Sequence, residues 1–209
     1  MSPERSPGPP EGQLLQPPCF ERADTDLVVQ ARRGDSAAAS RLLQRHLPRL
    51  ARLVASVLGG DRDRQDVLQD VLEHVARGLQ TLRDPTLFVP WTRSVALGRV
   101  RKHLRARRRR QWLVFWEDTP PAEPEAPVAG DDVRQAVRAL YRLLDQCPSQ
   151  DRIAFCLRHV EGLKLEEVAA ATGTSLATCK RRLSRAERLI QQEGAGHPDL
   201  ARFAAGGER

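Results

Sequence analysis

The stretch Gly162–Ile190, GLKLEEVAAATGTSLATCKRRLSRAERLI, decides the fold of this chain. It reads as two helices around one tight turn. Val168 and Ala169 face inward on the first helix. Gly173 supplies the left-handed or otherwise strained backbone that a sharp reversal needs. Thr174 or Ser175 is the expected N-cap of the second helix, because a side-chain oxygen there satisfies an orphan backbone N–H. In that helix Leu176, Cys179, Leu183, Ala186 and Ile190 recur every three or four residues and form one apolar stripe. The other face carries Lys180, Arg181, Arg182, Arg185 and Arg188. Helix, glycine turn and basic-faced helix together predict a helix-turn-helix whose second helix enters a DNA major groove. The plainer alternative is a helical hairpin with a solvated cationic face.

The rest of the chain sets the context. Its 209 residues suffice for one large or two small domains, and a formal net charge of +7 points to an acidic polymer as partner. Nucleic acid and anionic membrane are the two candidates. No apolar run approaches the roughly 18 residues of a membrane span, and the N-terminus lacks a signal-peptide core, so the expected compartment is the cytoplasm. Cys19, Cys147, Cys156 and Cys179 form no CxxC pair. Cys156 and His159 could share a helix face with Cys147 nearby, but that does not complete a structural zinc site. The thiols read as small buried hydrophobes. No metal, cofactor or catalytic residue is expected, and the chain does not read as an enzyme.

Taken in order, residues 1–22 are a Pro- and Gly-rich tail too poor in apolar residues to fold. A helical domain then spans 23–112. Asp24, Thr25 or Asp26 caps a short helix that Gly34 ends, and Asp35 or Ser36 caps a longer one in which Pro48 should produce a kink or break. Asp61 or Asp63 opens a third helix with Val67, Val71 and Val75 buried and Asp66, Gln69 and Asp70 on a polar face suited to a protein partner. After a loop around Asp84-Pro85 comes a helix that ends in RVRKHLRARRRR. Its cations Arg99, Arg101, Lys102, Arg105 and Arg107–Arg110 read as a phosphate-contact surface. The acidic, Pro-rich stretch 113–131 is an extended linker. A second helical domain occupies 132–193, with Ser149 as an expected cap, and 194–209 is a weakly patterned tail. The fold class is therefore all-α, two small helical domains on a flexible linker.

This layout resembles an RNA polymerase sigma factor of the extracytoplasmic-function type, which keeps only sigma regions two and four. The resemblance rests on Asp26-Leu27, Gly34-Asp35, DVLQDVLEHV and Phe88-x-x-Trp91 in the first domain. In the second it rests on Pro148, Arg152, EGLKLEEVAAATG and TCKRRLSRAERLI. It implies that Asp66, Gln69 and Asp70 bind core RNA polymerase. It also implies that Ser175, Thr178, Lys180, Arg181, Arg182, Ser184 and Arg185 belong to the helix that reads the upstream promoter element. Region two would contact promoter DNA through Arg83, Thr86, Phe88, Trp91, Arg99, Arg101, Lys102, Arg105 and Arg108. An anti-sigma partner and a monomeric free state are implied as well.

The chain departs from the family at Leu82, Thr92 and Gly98, where an aromatic, a leucine and an asparagine are usual. Leucine offers no π-face to an unstacked base and glycine no amide. The resemblance thus implies weak or unusual reading of the melted element, with the Arg99–Arg110 surface compensating and Arg83, Asp84, Thr86 and Phe88 assisting melting. Two rivals stand beside a full sigma factor. One is a sigma-like DNA-binding regulator that has lost promoter opening. The other is a basic helical adaptor for proteins or anionic membrane, suggested by the apolar run Trp112–Trp116 behind the arginines.

Overall fold

The computed structural model describes residues 22–113, 131–194 and 200. Residues 1–21 of the tail expected over 1–22, residues 114–130 of the linker expected over 113–131 (Val114–Trp116 of the apolar run among them), and residues 195–199 and 201–209 lie outside the described residues. Every described element is helical: α1 Arg22–Arg32, α2 Ser36–Leu58, α3 Arg64–Gly78, α4 Phe88–Leu113, α5 Asp131–Gln146, α6 Ser149–Phe155, α7 Leu165–Thr172 and α8 Leu176–Gly194. Short 3₁₀ turns at Leu79–Thr81 and Pro85–Leu87 join α3 to α4, and a π turn, Cys156–Val160, extends α6. No described helix is long and apolar enough to cross a membrane.

Local sequence chemistry accounts for most of these boundaries. Gly34, at φ 97°, ends the α1 turn. Asp35 caps α2 by accepting the Ala38 N–H at 3.0 Å. Two expectations fail in the same region. Asp24 does not cap α1. It is buried inside the helix, 3.3 Å from Arg45 Nε and 3.5 Å from His46 Nε2. Pro48 does not break α2, which runs unbroken from Ser36 to Leu58. Proline costs a helix interior about 3 kcal/mol, and the buried stripe Leu42, His46, Leu50, Leu53, Val54 and Val57 on both sides of it offsets that cost.

In the second half, Pro148 and not Ser149 occupies the N-cap of α6. Proline there forgoes a side-chain cap but presets the entry backbone angle. The π turn leaves Val160 at 48 % exposure. Leu176 is also exposed, at 39 %, so the α8 stripe begins at Cys179.

α1–α4 and α5–α8 do not stand apart: a single apolar cluster runs from Val28, Leu53 and Val100 through Leu144 and Ile153 to Val168 and Cys179. At the junction Gly59, φ 64°, closes α2, and an added Cβ there would sit 2.5 Å from the Tyr141 ring. Only glycine permits both the backbone angle and that approach. The Tyr141 hydroxyl donates to Ser56 O at 2.7 Å.

Candidate nucleic-acid interface

The turn between α7 and α8 is built as its sequence requires. Gly173 is left-handed, φ 63° and ψ 39°. The N–H of Thr174 returns to Ala169 O at 3.0 Å, satisfying an orphan carbonyl at the end of α7. At the start of α7 the Lys164 N–H donates to Glu167 Oε2 at 2.7 Å, the return arm of a capping box. Ser175 caps α8, its Oγ accepting the Thr178 N–H at 3.3 Å.

With Cys179 and Ala186 turned into the core, the opposite side of α8 presents Ser175, Lys180, Arg181, Ser184 and Arg185 to solvent, with Thr178 and Arg182 half-buried. Arg181 Nη2 donates to Thr178 Oγ1 at 3.3 Å. Arg185 is held from below by Asp151, a buried carboxylate on α6. Asp151 escaped the sequence reading, because nothing local links it to a residue 34 positions away.

The first-half candidates divide into three groups. Arg101, Lys102, Arg105 and Arg108 line one wall of a cleft of about 1050 Å³, and none is paired with an acid among the described residues. Arg83 and Thr86 are exposed in the loop before α4, where Asp84 Oδ1 accepts both the N–H (2.9 Å) and the hydroxyl (2.7 Å) of Thr86. Those two bonds hold the Asp84 carboxyl below its ordinary range. Phe88 corrects the expectation of a melting residue: it is fully buried, edge-on to His46 at 5.1 Å between centroids. An apolar ring opening a helix over a core is worth more buried than offered to a base. Trp91 is half-buried, 6.1 Å from Phe88, and lies so close to α3 that a Cβ on Gly78 would come within 2.9 Å of it.

Leu82 and Thr92 are buried, so neither offers a surface to DNA. Gly98 faces open space, with nothing within 4 Å of an added Cβ.

Asp66 and Gln69 project from α3 into solvent, while Asp70 is half-buried. Arg99 leaves the cationic group to reach it. Its Nη1 donates to His74 Nε2 at 2.8 Å and lies 3.6 Å from Asp70 Oδ2. Because Nε2 accepts, Nδ1 carries the ring proton and donates to Asp70 O at 2.8 Å. The acidic face and the arginine helix are thus joined.

Two other clusters have structural explanations. Cys147, Cys156 and Cys179 are buried and free, and burial pushes the Cys156 thiol up to about 12, so they behave as apolar side chains. Asp61, Asp63 and His103 gather near one another. Arg107 is 3.0 Å from Asp61 and Arg110 is 3.4 Å from Asp63, so both carboxylates already meet cations.

With this geometry in hand, similarity to known proteins decides the family. The family description "Sigma-70 region 2" matches residues 42–110, and "Sigma-70, region 4" matches residues 137–190. The chain belongs to the sigma-70 family. It is 26 % identical to the RNA polymerase sigma-H factor of Pseudomonas aeruginosa, over 82 % of this chain and 94 % of that one. The ECF RNA polymerase sigma-E factor of Escherichia coli K12 is 27 % identical, over 81 % and 93 %. The ECF factor SigE of Mycolicibacterium smegmatis is 30 % identical over 78 % of this chain and 65 % of that one. A solved structure of CnrH in complex with the cytosolic domain of CnrY shares the fold. Its TM-score is 0.57 at 23 % identity, covering 84 % of this chain and 99 % of that one. This sigma factor is of the extracytoplasmic-function type, a non-enzymatic protein that directs transcription initiation, with core RNA polymerase and promoter DNA as its partners.

Proposed function

We propose that this sigma factor divides its work between two surfaces. The exposed side of α8 enters the major groove of the upstream promoter element, with Ser175, Thr178, Lys180, Arg181, Arg182 and Ser184 nearest the DNA and Arg185 braced behind them. Base reading falls to the side chains that reach base edges, and the other cations hold phosphate. On α3, Asp66, Gln69 and Asp70 bind core polymerase, and Arg101, Lys102, Arg105 and Arg108 on α4 follow the phosphate backbone near the melted element. Arg83 and Thr86 flank the opening point. The observation that carries this reading is the sidedness of α8: Cys179 and Ala186 are buried while Lys180, Arg181, Ser184 and Arg185 face solvent.

The finer partners follow the same reading. The protein works in the cytoplasm, is monomeric when free, and is held off by an anti-sigma protein. Support for that last partner comes from a neighbouring fold solved with the cytosolic domain of another protein. With Leu82 buried and Gly98 bare, recognition of the melted element is weak and leans on phosphate contacts.

Gel filtration with core polymerase tests the assignment of surfaces. The wild type and a Lys180→Ala, Arg181→Ala variant should co-elute with core, and an Asp66→Lys, Gln69→Ala variant should not. Equal co-elution of all three would remove α3 as the docking surface.

A further inference from the structure

The cleft beside α4 is charged out of balance. Its lining holds seven arginine or lysine side chains and one carboxylate, Asp145. That carboxylate is already taken. It pairs with Arg152 and, through its other oxygen, with Arg107 Nη2 at 2.9 Å. Arg152 is fixed in turn, its Nε donating to Val57 O at 2.8 Å and its Nη2 to Leu58 O at 3.1 Å. Arg101, Lys102, Arg105, Arg108 and Arg109 are left with no acid partner among the described residues. The helical repeat of α4 puts positions 98, 101, 105 and 108 on one side. Like charges gathered on a concave wall focus their field into the cavity and attract an anion there.

The rest of the cleft is apolar or small. Leu104, Leu144 and Cys147 are buried members of the core cluster and form the floor, and Pro148 and Ser149 stand at the start of α6. Gly98 puts no side chain at the end of the cationic row, where nothing lies within 4 Å of an added Cβ. The cleft measures about 1050 Å³, the upper end of the roughly 300–1000 Å³ usual for small-molecule sites. A duplex is too broad to reach a floor set between two protein walls, and a single nucleotide is not. The row from Arg101 to Arg108 rises about 10 Å along the helix axis, which suits a chain of phosphates better than one phosphate.

We propose that this cleft binds a nucleoside polyphosphate, with the phosphates along Arg101, Lys102, Arg105 and Arg108 and the base over Leu104, Leu144 and Cys147. Guanidinium groups meet phosphate oxygens through paired N–H donors. The apolar floor gives the ring a seat away from water, which separates a nucleotide from inorganic polyphosphate. A bound nucleotide competes with the promoter backbone for α4. That consequence, unlike the binding itself, rests on the assignment of α4 to DNA above.

Calorimetric titration of the full chain at fixed ionic strength tests the site, with ATP, inorganic tripolyphosphate and adenosine as probes. ATP should bind at one site per chain, about 10-fold tighter than tripolyphosphate, and adenosine should not bind measurably. Arg105→Ala combined with Arg108→Ala should weaken ATP binding by about 10-fold or more. Both positions are exposed, and circular dichroism should show unchanged helical content. Arg33→Ala combined with Arg52→Ala removes the same charge from exposed positions outside the cleft and should leave ATP binding as it was. Absence of saturable ATP binding overturns the proposal. So does a cleft variant no weaker than the surface variant, which would mark diffuse attraction to a cationic protein. Equal affinity for ATP and tripolyphosphate overturns the seat for the base. If ATP binds as stated yet leaves promoter-duplex binding unchanged at the same ionic strength, the fault lies with α4 as a DNA surface and not with the cleft.

Discussion

Arg185 grips the buried carboxylate of Asp151 with two arms, Nε at 2.8 Å from one oxygen and Nη2 at 2.9 Å from the other. A basic residue on the exposed face of α8 is therefore also the pin that sets this helix on α6. A planar guanidinium matches a carboxylate through two parallel bonds, and an ammonium does not. Arg185→Lys should lower both the melting temperature and promoter-specific transcription. Asp151→Asn should do the same without touching a DNA-facing group. A thermal scan beside a transcription assay checks the pair. Unchanged values for Asp151→Asn would reduce Arg185 to a surface cation.

Lys180 and Arg181 are exposed on the same helix face. If either reads a base, its alanine variant should lose about 1–3 kcal/mol of discrimination at one promoter position. If it holds phosphate, binding should weaken evenly across sequences and the salt slope should fall by about 1. Titrating duplexes that carry single base changes at two salt concentrations separates these outcomes.

Gly98 lies inside α4 with open space where a side chain would be. Gly98→Ala should stabilise the protein by about 1 kcal/mol through helix propensity alone. If Gly98 lies at the melted element as proposed, Gly98→Asn should increase transcription from a fully paired promoter more than from a pre-melted one, because it supplies an amide there. Equal gains on both templates would separate Gly98 from melting.

His46 gives stability a pH dependence. Burial beneath Phe88 lowers its pKa from 6.5, with Arg49 and Arg45 adding to the effect and Asp24 opposing it. A base whose folded pKa is depressed contributes fully above its unfolded value and loses that contribution as pH falls below about 6.5. The melting temperature should fall between pH 7 and 5.5, and His46→Gln should flatten that fall. Asp61 acts in a lower window. Burial alone would raise its pKa, but the hydrogen bonds from His103 and the Asp63 N–H and the charge of Arg107 hold it at about 2. Its contribution is present above about pH 4 and is lost as pH falls toward 2.

Several parts of this structure were readable one segment at a time. Gly173, Ser175 and the Cys179–Ala186 stripe declare their turn, cap and buried face within a few residues. Asp35 does the same for α2. What stayed hidden depends on contacts across long sequence separations. Asp24 looks like a cap until His46 and Arg45 come up beneath it. Phe88 looks like a loop residue until His46 meets its ring edge-on. Tyr141 on Gly59 and Arg152 on Val57 and Leu58 join the two halves, and no periodicity announces such a contact. Pro48 shows the same limit from the energetic side, since a local penalty gives way to burial on both sides of it.

The division of labour between α3 and α8 is tested most directly by run-off transcription with purified core polymerase on the protein's own promoter. The account predicts a transcript of discrete length with the wild type. It predicts none with Asp66→Lys, Gln69→Ala, although that variant keeps the wild-type helical content, and none with Lys180→Ala, Arg181→Ala, although that variant still binds core. Full transcription from either variant would contradict it.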